Sequence, residues 1–311
     1  MKTLRDLGPT PGFKIVPVGH FETLKEAAEL VGFRAALTKR ASLDDLRDPG
    51  SNDEILHVEM VEPVPRARES AAAGRHTYEI LRTCTQLCLE GKALGVVTCP
   101  INKASMKKAG YGRQGHTELL AEMAGVRSVE TVFCVGRLKI FFLSRHVSLR
   151  DAISQVDKDH VLAALMRIDR SMKGLGYPRP RVGVPGLNPH SGEGGLFGRE
   201  EISAILPAVE EAKRRGIDAE GPIGADSIYH LGLEGRFDAI LSLYHDQGHI
   251  ASKTYDFHGT VTLSLGLPFV RTSVDHGTGF DIAWKGLGNP ESLVRAVRLA
   301  MEVIGGQPPR S

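Results

Sequence analysis

Short apolar runs alternate along the chain with longer segments whose apolar side chains recur every three or four residues. The short runs predict strands of a parallel sheet, because such strands are buried on both faces, and the longer segments have the period of helices. We expect strands at 13–19, 58–64, 94–99, 131–135, 139–143, 181–184, 237–243 and 261–265. We expect helices at 22–31, 67–90, 116–124, 158–173, 200–215 and 290–304, and loops at 38–56, 110–115 and 144–149.

This alternation predicts an α/β protein, with a mostly parallel sheet and helices on both of its faces. Gly136 and Arg137 separate two apolar runs, and such a tight turn predicts an antiparallel hairpin in the middle of the chain. No linker divides the sequence, so any two domains would each take in separate parts of the chain.

Composition excludes several classes of protein. Among 311 residues, 41% are hydrophobic and 24% are charged, as in an ordinary globular enzyme. Lysine and arginine number 39 and acidic residues 37, so a net charge of +2 gives no reason to expect a nucleic acid or membrane partner. No apolar signal core or long apolar run occurs, and we expect a cytoplasmic protein. The four cysteines have no zinc-finger spacing, and we expect reduced, packed thiols.

The segment from Ala239 to Gly248 is the leading candidate for a functional site. An apolar strand there runs directly into Tyr244, His245, Asp246 and Gln247. Ligands of open α/β sheets bind outside the carboxyl ends of strands, which favours a functional role for this cluster. The alternative is a turn closed by Gly248, in which the histidine only caps the chain.

Similar polar clusters follow other predicted strands or begin a helix. They are Gly115–Glu118, Arg145–His146 and Asn188–Glu193. Imidazoles from separate strand ends suit a divalent transition metal with open positions for a substrate. Their separations in sequence are too long for a local motif, however, and a single histidine is more often structural.

Glycine-rich and basic residues suggest anion binding, each with a structural alternative. Gly192–Gly198 and Asp275–Ala283 are glycine-rich loops that suit a phosphate or a nucleotide, or are plain turns. Lys103, Lys253 and Arg271 lie near predicted strand ends. Arg271 follows apolar residues, so its guanidinium needs either a structural carboxylate or a substrate phosphate.

Taken together, six segments resemble the 4-hydroxythreonine-4-phosphate dehydrogenase (PdxA) family, in family order across residues 13–305. They are Thr98–Lys103, Gly115–Glu118, the segment around His146, Gly186–Glu193, Tyr244–Gly248 and Arg271–Thr278. Each segment is weak alone, but the set is specific.

The resemblance implies a fold like that of isocitrate and isopropylmalate dehydrogenases, with two intimate α/β domains and a mostly parallel sheet. It implies an outer domain of residues 1–108 plus 269–311, and a central domain of residues 109–268 that carries the dimer contact. The active protein would be a homodimer whose site lies in a cleft between domains and subunits.

The same resemblance implies the site residues. A divalent metal (zinc, magnesium or cobalt) would be held by His146, His190 and His245, with one ligand coming from the partner subunit. Substrate would be bound by His116, Thr117, Lys253 and Arg271, and NAD or NADP by Asp275, Gly277, Thr278 and Asp281. Asp246 and Lys103 are the candidates for proton transfer.

The implied reaction oxidises and decarboxylates 4-phosphooxy-L-threonine to 3-amino-2-oxopropyl phosphate in pyridoxal phosphate biosynthesis. Two differences from the family's sequence pattern add alternatives to this predicted function. The family's opening strand and its Gly-Asp-Pro-Ala-Gly-Ile-Gly turn are missing, so we expect the first βα unit to be absent. Thr262 stands where pyridoxal-pathway members tend to have asparagine. The alternatives are therefore a 4-phospho-D-threonate or 4-phospho-D-erythronate dehydrogenase, or a paralogue that binds a ligand without turnover.

Overall fold

The structure is a computed structural model that describes residues 1–8, 10–46, 53–112 and 115–309. Its backbone divides into two compact units, each taken from separate parts of the sequence. Unit 1 comprises Met1–Glu130 and Gly266–Met301, and unit 2 comprises Thr131–Leu265 and Glu302–Ser311. Helices and mostly parallel strands build both units, which confirms the predicted α/β class. The predicted division into 1–108 with 269–311 and 109–268 stays a prediction about functional domains.

Unit 1 contains a small parallel sheet and a separate parallel pair of strands. The sheet has the order β1-β3-β2, and β4 pairs with β11. The strands are β1 (Val18–Gly19), β2 (Thr38–Arg40), β3 (Glu54–His57), β4 (Gly95–Thr98) and β11 (Val270–Val274). The helices are α1 (Lys2–Leu7), α2 (Phe21–Leu30), α3 (Ala71–Leu89), α4 (Lys103–Lys108), α5 (His116–Met123) and α11 (Glu291–Ile304), and Leu43–Asp45 is a 3₁₀ turn.

Two predictions in unit 1 are wrong, and a buried carboxylate explains the second of them. No strand forms at 58–64, because β3 already ends at His57. The loop expected at 38–56 contains β2 and most of β3. Glu54 is 3% exposed and pairs with Lys14 and Arg40, each at 2.5 Å. Because these charges are satisfied by one another inside the sheet, the strands have a polar sequence. Residues 47–52 of that loop, and 113–114 of the loop at 110–115, lie outside the described residues.

Unit 2 is built on a larger sheet whose strand order is β10-β5-β6-β9-β7-β8. The strands are β5 (Glu130–Val135), β6 (Leu138–Phe142), β7 (Val182–Pro185), β8 (Ala219–Ile223), β9 (Ala239–Ser242) and β10 (Val261–Leu265). The helices are α6 (Leu149–Ser154), α7 (Lys158–Gly174), α8 (Leu206–Arg214), α9 (Ile228–Leu233) and α10 (His245–Tyr255). A 3₁₀ turn at Pro189–Gly195 and a π-helical turn at Glu201–Ile205 complete the unit.

The predicted hairpin is confirmed, because β5 and β6 pair antiparallel across Gly136 and Arg137. The predicted turn at Gly248 is wrong, since α10 begins at His245 and continues through this glycine. A Cβ atom at Gly248 would lie 2.6 Å from Ser242 Oγ and 2.8 Å from Phe142 Cε1. Gly248 therefore allows α10 to pack closely on β6 and β9. The sequence pattern also does not predict α1, α4, α6, β8 or α9.

A buried lysine ties the C-terminal segment to the core of unit 2. Lys139 is 0% exposed, and its ammonium donates to the carbonyl oxygens of Arg137, at 3.1 Å, and Pro309. The Tyr177 hydroxyl donates to the same Pro309 oxygen at 2.9 Å. Burial lowers the pKa of Lys139, which shows how little solvent stabilises its charge.

Deleting residues 308–311 is expected to lower the free energy of unfolding by about 3 kcal/mol, because the buried ammonium of Lys139 loses an acceptor. Urea denaturation measures this loss. In a Lys139→Met background, the same deletion leaves no buried charge unpaired. The loss in free energy of unfolding is therefore expected to be less than half as large. Equal losses in both backgrounds would contradict this role of Pro309.

Among the described residues, no helix is both long and apolar enough to cross a membrane.

Candidate active site

Unit 1 places a cationic group and a neutral imidazole close together. Arg271, on β11, is 4% exposed, and its Nε and Nη2 donate to Thr98 Oγ1 at 3.2 and 2.7 Å. Burial lowers the pKa of Arg271 to about 10, while the charge of Glu118 opposes that shift. The guanidinium therefore remains charged at neutral pH.

The Thr98 hydroxyl is in turn held by a neighbouring strand. It donates to Ser273 Oγ at 2.9 Å, and Ser273 Oγ donates to the Thr98 carbonyl oxygen at 3.1 Å. The parallel register of β4 and β11 makes this exchange possible, because Thr98 and Ser273 lie opposite each other. Thr98 and Ser273 thus fix the guanidinium of Arg271. Both lie in segments that resemble the family, but the sequence alone assigns them no role.

His116 is the first residue of α5, where a neutral side chain is favoured. Burial, followed by the positive charge of Arg271, lowers the pKa of His116 to about 3. A neutral imidazole at neutral pH can donate one hydrogen bond to a ligand without adding charge. Thr117 is partly buried beside it, and Glu118 accepts a bond from Gly115 N at 2.9 Å to cap the helix.

Lys103 begins α4 and is exposed. Its side chain passes close to Gly115, since a Cβ atom built there would lie 3.4 Å from Lys103 Cε and 3.8 Å from Nζ. Unit 1 therefore places Lys103 beside the residue that precedes His116. Arg271 is also near, because its charge acts on His116. This combination of one imidazole and two cations suits a phosphate or carboxylate group.

Unit 2 brings together two of the three predicted metal ligands. His146 lies in the loop after β6 and His245 begins α10, and their ring centroids are 5.9 Å apart. Asp246 Oδ1 lies 2.6 Å from His245 Nδ1. A carboxylate at one ring nitrogen leaves the other nitrogen to bind a metal.

His190, the third predicted ligand, lies on an unusual loop. Its φ angle is 49°, and the left-handed conformation continues through Gly194. The described residues contain five non-glycine positions of positive φ, and His190, Ser191 and Glu193 are three of them. Such conformations cost free energy and concentrate at functional sites. Within the described part of this single chain, no three His, Cys, Asp or Glu side chains are grouped to hold a metal ion.

A buried carboxylate that sequence reasoning missed anchors this loop. Glu201 is 2% exposed, and its Oε1 accepts bonds from the backbone nitrogens of Leu187, at 2.8 Å, and Asn188, at 2.7 Å. Its Oε2 accepts a bond from Asn188 Nδ2 at 2.9 Å. Burial raises the pKa of Glu201, but the bonds from Asn188 and the backbone outweigh it and leave the pKa below its usual value.

Replacing Glu201 with glutamine is expected to destabilise the loop by about 2 kcal/mol, since one acceptor oxygen becomes an NH₂ group facing other donors. The Leu187 and Asn188 amides should then exchange hydrogen about 30-fold faster.

The stabilisation by Glu201 should also depend on pH. Because the folded pKa of Glu201 is lowered, its contribution to stability is complete above the unfolded pKa and is lost as pH falls through the folded value. The exposed Glu210→Gln variant is the control, and unchanged exchange in Glu201→Gln would contradict this role.

The remaining predicted residues lie in both units. Lys253, on α10, has its ammonium 5.1 Å from the centre of the Phe257 ring. Asp275, Gly277, Thr278 and Asp281 follow β11 in a segment of bends and turns, as the sequence predicts. Thr262 is buried in β10. All four cysteines are free, and burial raises the pKa of the Cys99 thiol, although the residue as a whole is exposed.

A protein family and several named proteins are similar to this chain. Residues 13–300 match the family described as "Pyridoxal phosphate biosynthetic protein PdxA". A Halalkalibacterium halodurans protein named "Putative D-threonate 4-phosphate dehydrogenase" is 43% identical over 92% of this chain and 86% of its own length. A Fusobacterium nucleatum protein of the same name is 49% identical over 73% of this chain and 68% of its own.

The fold is shared with a solved structure. The crystal structure of 4-hydroxythreonine-4-phosphate dehydrogenase from Klebsiella pneumoniae superposes with a TM-score of 0.82 and 35% sequence identity. The similarity covers 93% of this chain and 90% of that one.

Proposed function

The chain belongs to the PdxA family, and from that premise we propose that it is a metal-requiring, NAD- or NADP-dependent dehydrogenase of a phosphorylated four-carbon hydroxy acid. The family and the names of its relatives make it an oxidoreductase of the dehydrogenase type. The observation that carries the finer proposal is the group formed by Arg271, Lys103 and neutral His116. These residues supply two positive charges and one hydrogen-bonding imidazole for an anionic substrate.

D-threonate 4-phosphate is the proposed substrate. The relatives of 43% and 49% identity carry its name, and Thr262 replaces the asparagine expected in pyridoxal-pathway members. 4-Phosphooxy-L-threonine is the second candidate, because the Klebsiella pneumoniae enzyme of 35% identity is named for it. D-erythronate 4-phosphate is the third.

In the proposed reaction, Arg271 and Lys253 bind the anionic groups of the substrate, while His116 and Thr117 donate or accept hydrogen bonds. Fixed contacts of this kind orient the carbon that gives up a hydride. Asp275, Gly277, Thr278 and Asp281 are proposed to contact the nicotinamide dinucleotide, which would supply the acceptor for that hydride. Lys103 and Asp246 are proposed for proton transfer, and CO₂ leaves the resulting β-keto acid.

His146 and His245, with His190, are proposed to hold the divalent metal. Imidazoles on separate elements, one of them paired with a carboxylate, fit such an ion. When bound, the metal supplies a Lewis acid that lowers the pKa of the substrate alcohol and stabilises negative charge during decarboxylation. The chain's own part is to pair His245 Nδ1 with Asp246, which leaves the other ring nitrogen for the metal, and to hold the His190 loop through Glu201.

The protein is proposed to act as a homodimer that completes this ligand set with a residue from its second copy. Unit 2 supports the proposal, because it exposes several large apolar side chains that a second copy would cover. They include Leu149 (58% exposed), Leu196 (73%), Phe197 (50%), Ile202 (43%) and Ile250 (66%). Leu196 and Phe197 directly follow the His190 loop.

A substrate comparison tests the proposal. Purified protein with Zn²⁺, Mg²⁺ or Co²⁺ and NAD⁺ or NADP⁺ is given each of the three phosphorylated acids, and reduced cofactor is followed by absorbance. We expect the highest kcat/KM with D-threonate 4-phosphate. A higher value with 4-phosphooxy-L-threonine would move the assignment to the second candidate. Binding of the acids without turnover under any condition would identify a ligand-binding paralogue instead.

A further inference from the structure

Two histidines are stacked on one side of α10. His245 and His249 are four positions apart, which places them one helical turn from each other on the same face. Their ring centroids are 4.0 Å apart and the ring planes differ by 29°. His249 is 9% exposed, whereas the side chain of His245 is 40% exposed. A buried ring therefore forms the base on which the more exposed ring rests.

Aromatic side chains of the sheet hold the His249 ring. Phe142 is stacked with it at 5.1 Å and 23°, and Phe133 meets it edge-on at 4.3 Å and 76°. Both phenylalanines belong to the β5–β6 hairpin and are almost fully buried. Gly248 keeps α10 close to these strands. The plane of the His249 ring is thus set by the core of unit 2.

Asp246 constrains His245 less than the stack on His249 does. Asp246 contacts His245 Nδ1, but the Asp246 side chain is 70% exposed and adjacent in sequence. A solvated carboxylate on a short side chain can follow the imidazole through several orientations. Among the ring contacts of His245, the stack on His249 is the shortest, with a centroid distance of 4.0 Å against 5.9 Å for His146 and 6.4 Å for Phe142. It therefore joins the His245 ring most closely to the core of unit 2.

We propose that His249 is a positioning residue that fixes the ring plane of His245 by stacking, and that it acts through its aromatic face rather than through its nitrogens. This inference rests on the proposed role of His245 as a metal ligand. Histidines four apart on a helix can also bind one ion together. Here the ring planes differ by only 29° at a centroid distance of 4.0 Å, so the in-plane nitrogen lone pairs lie in separate, nearly parallel planes, which favours the positioning role.

Three variants separate these roles. His249→Phe keeps the aromatic face and removes the nitrogens. His249→Ala removes both, and His249→Leu fills the space without a flat ring, so it carries the comparison if the alanine variant does not fold. His230→Ala, at an exposed histidine of α9, controls for the loss of an imidazole.

The first measurement uses metal-free protein. The ring proton resonances of His245, identified by their absence in His245→Gln, should keep their stacking-induced shift in His249→Phe and lose it in His249→Ala and His249→Leu. Unchanged His245 resonances in the alanine and leucine variants would overturn the proposal. Because no metal is present, this result does not depend on whether the proposed function is correct.

The second measurement is Co²⁺ affinity, followed by the visible absorption of the bound ion. We expect His249→Phe and His230→Ala to bind within about threefold of the original protein, and His249→Ala and His249→Leu to bind at least about tenfold more weakly. Loss of binding in His249→Phe would show that a ring nitrogen is required and would overturn the proposal. Absence of Co²⁺ binding by the unaltered protein would instead count against the proposed metal site.

Discussion

Replacing Arg271 with lysine is expected to lower kcat/KM by about 100-fold or more. The guanidinium is buried, and two of its nitrogens donate to Thr98 Oγ1. A lysine ammonium is a point charge that cannot repeat this two-point contact while also binding a substrate anion. Loss of a buried, charge-assisted contact of this kind is worth about 3 kcal/mol, which corresponds to about two powers of ten in rate.

Steady-state kinetics on the preferred substrate measures this effect. Arg298→Lys, on the exposed side of α11, makes the same chemical change away from the proposed site and should leave kcat/KM unchanged. Thr98→Val removes the hydroxyl that holds the guanidinium and should cause a smaller loss, of about tenfold. If Arg271→Lys retains activity within threefold of the original, Arg271 does not bind the reacting anion.

Replacing His245 with alanine is expected to remove bound divalent metal and to lower kcat by about 1,000-fold or more. His146→Ala should do the same, because the two rings are neighbours and are proposed to hold one ion. Residues that act as a unit are not additive, so the double variant should be little worse than either single one.

Metal content after dialysis, measured together with kcat, tests this expectation. His230→Ala is the matched control, since His230 is exposed on α9 and pairs at the surface with Glu234 at 3.2 Å. It should keep both its metal and its activity. A His146→Ala or His245→Ala protein with full metal content would remove that residue from the site.

Much of the fold follows from local patterns, and the errors have identifiable causes. The β5–β6 hairpin was predictable because Gly136 and Arg137 interrupt two apolar runs. β2 and β3 were not, because a buried ion-pair group around Glu54 gives these strands a polar sequence. The α10 helix was missed because Gly248 resembles a turn residue, whereas it is required by close packing on β6 and β9.

The candidate site was predictable as a set of residue types, but its supporting contacts were not. Thr98 meets Arg271 only because β4 and β11, which are far apart in sequence, are paired in register. No sequence rule predicts left-handed backbone at His190 and Ser191. His249 is different, because its spacing from His245 is a helical repeat and would have been informative once the helix was known.

The most direct test of the proposed function is to measure reduced cofactor and released CO₂ together, with D-threonate 4-phosphate as substrate. With a divalent metal present, we expect NADH or NADPH and CO₂ to form in equal amounts, and we expect a chelator to stop both. Equal formation after complete removal of metal would contradict the role of the histidines. Binding of the substrate with neither product would contradict the proposal that this protein is a dehydrogenase.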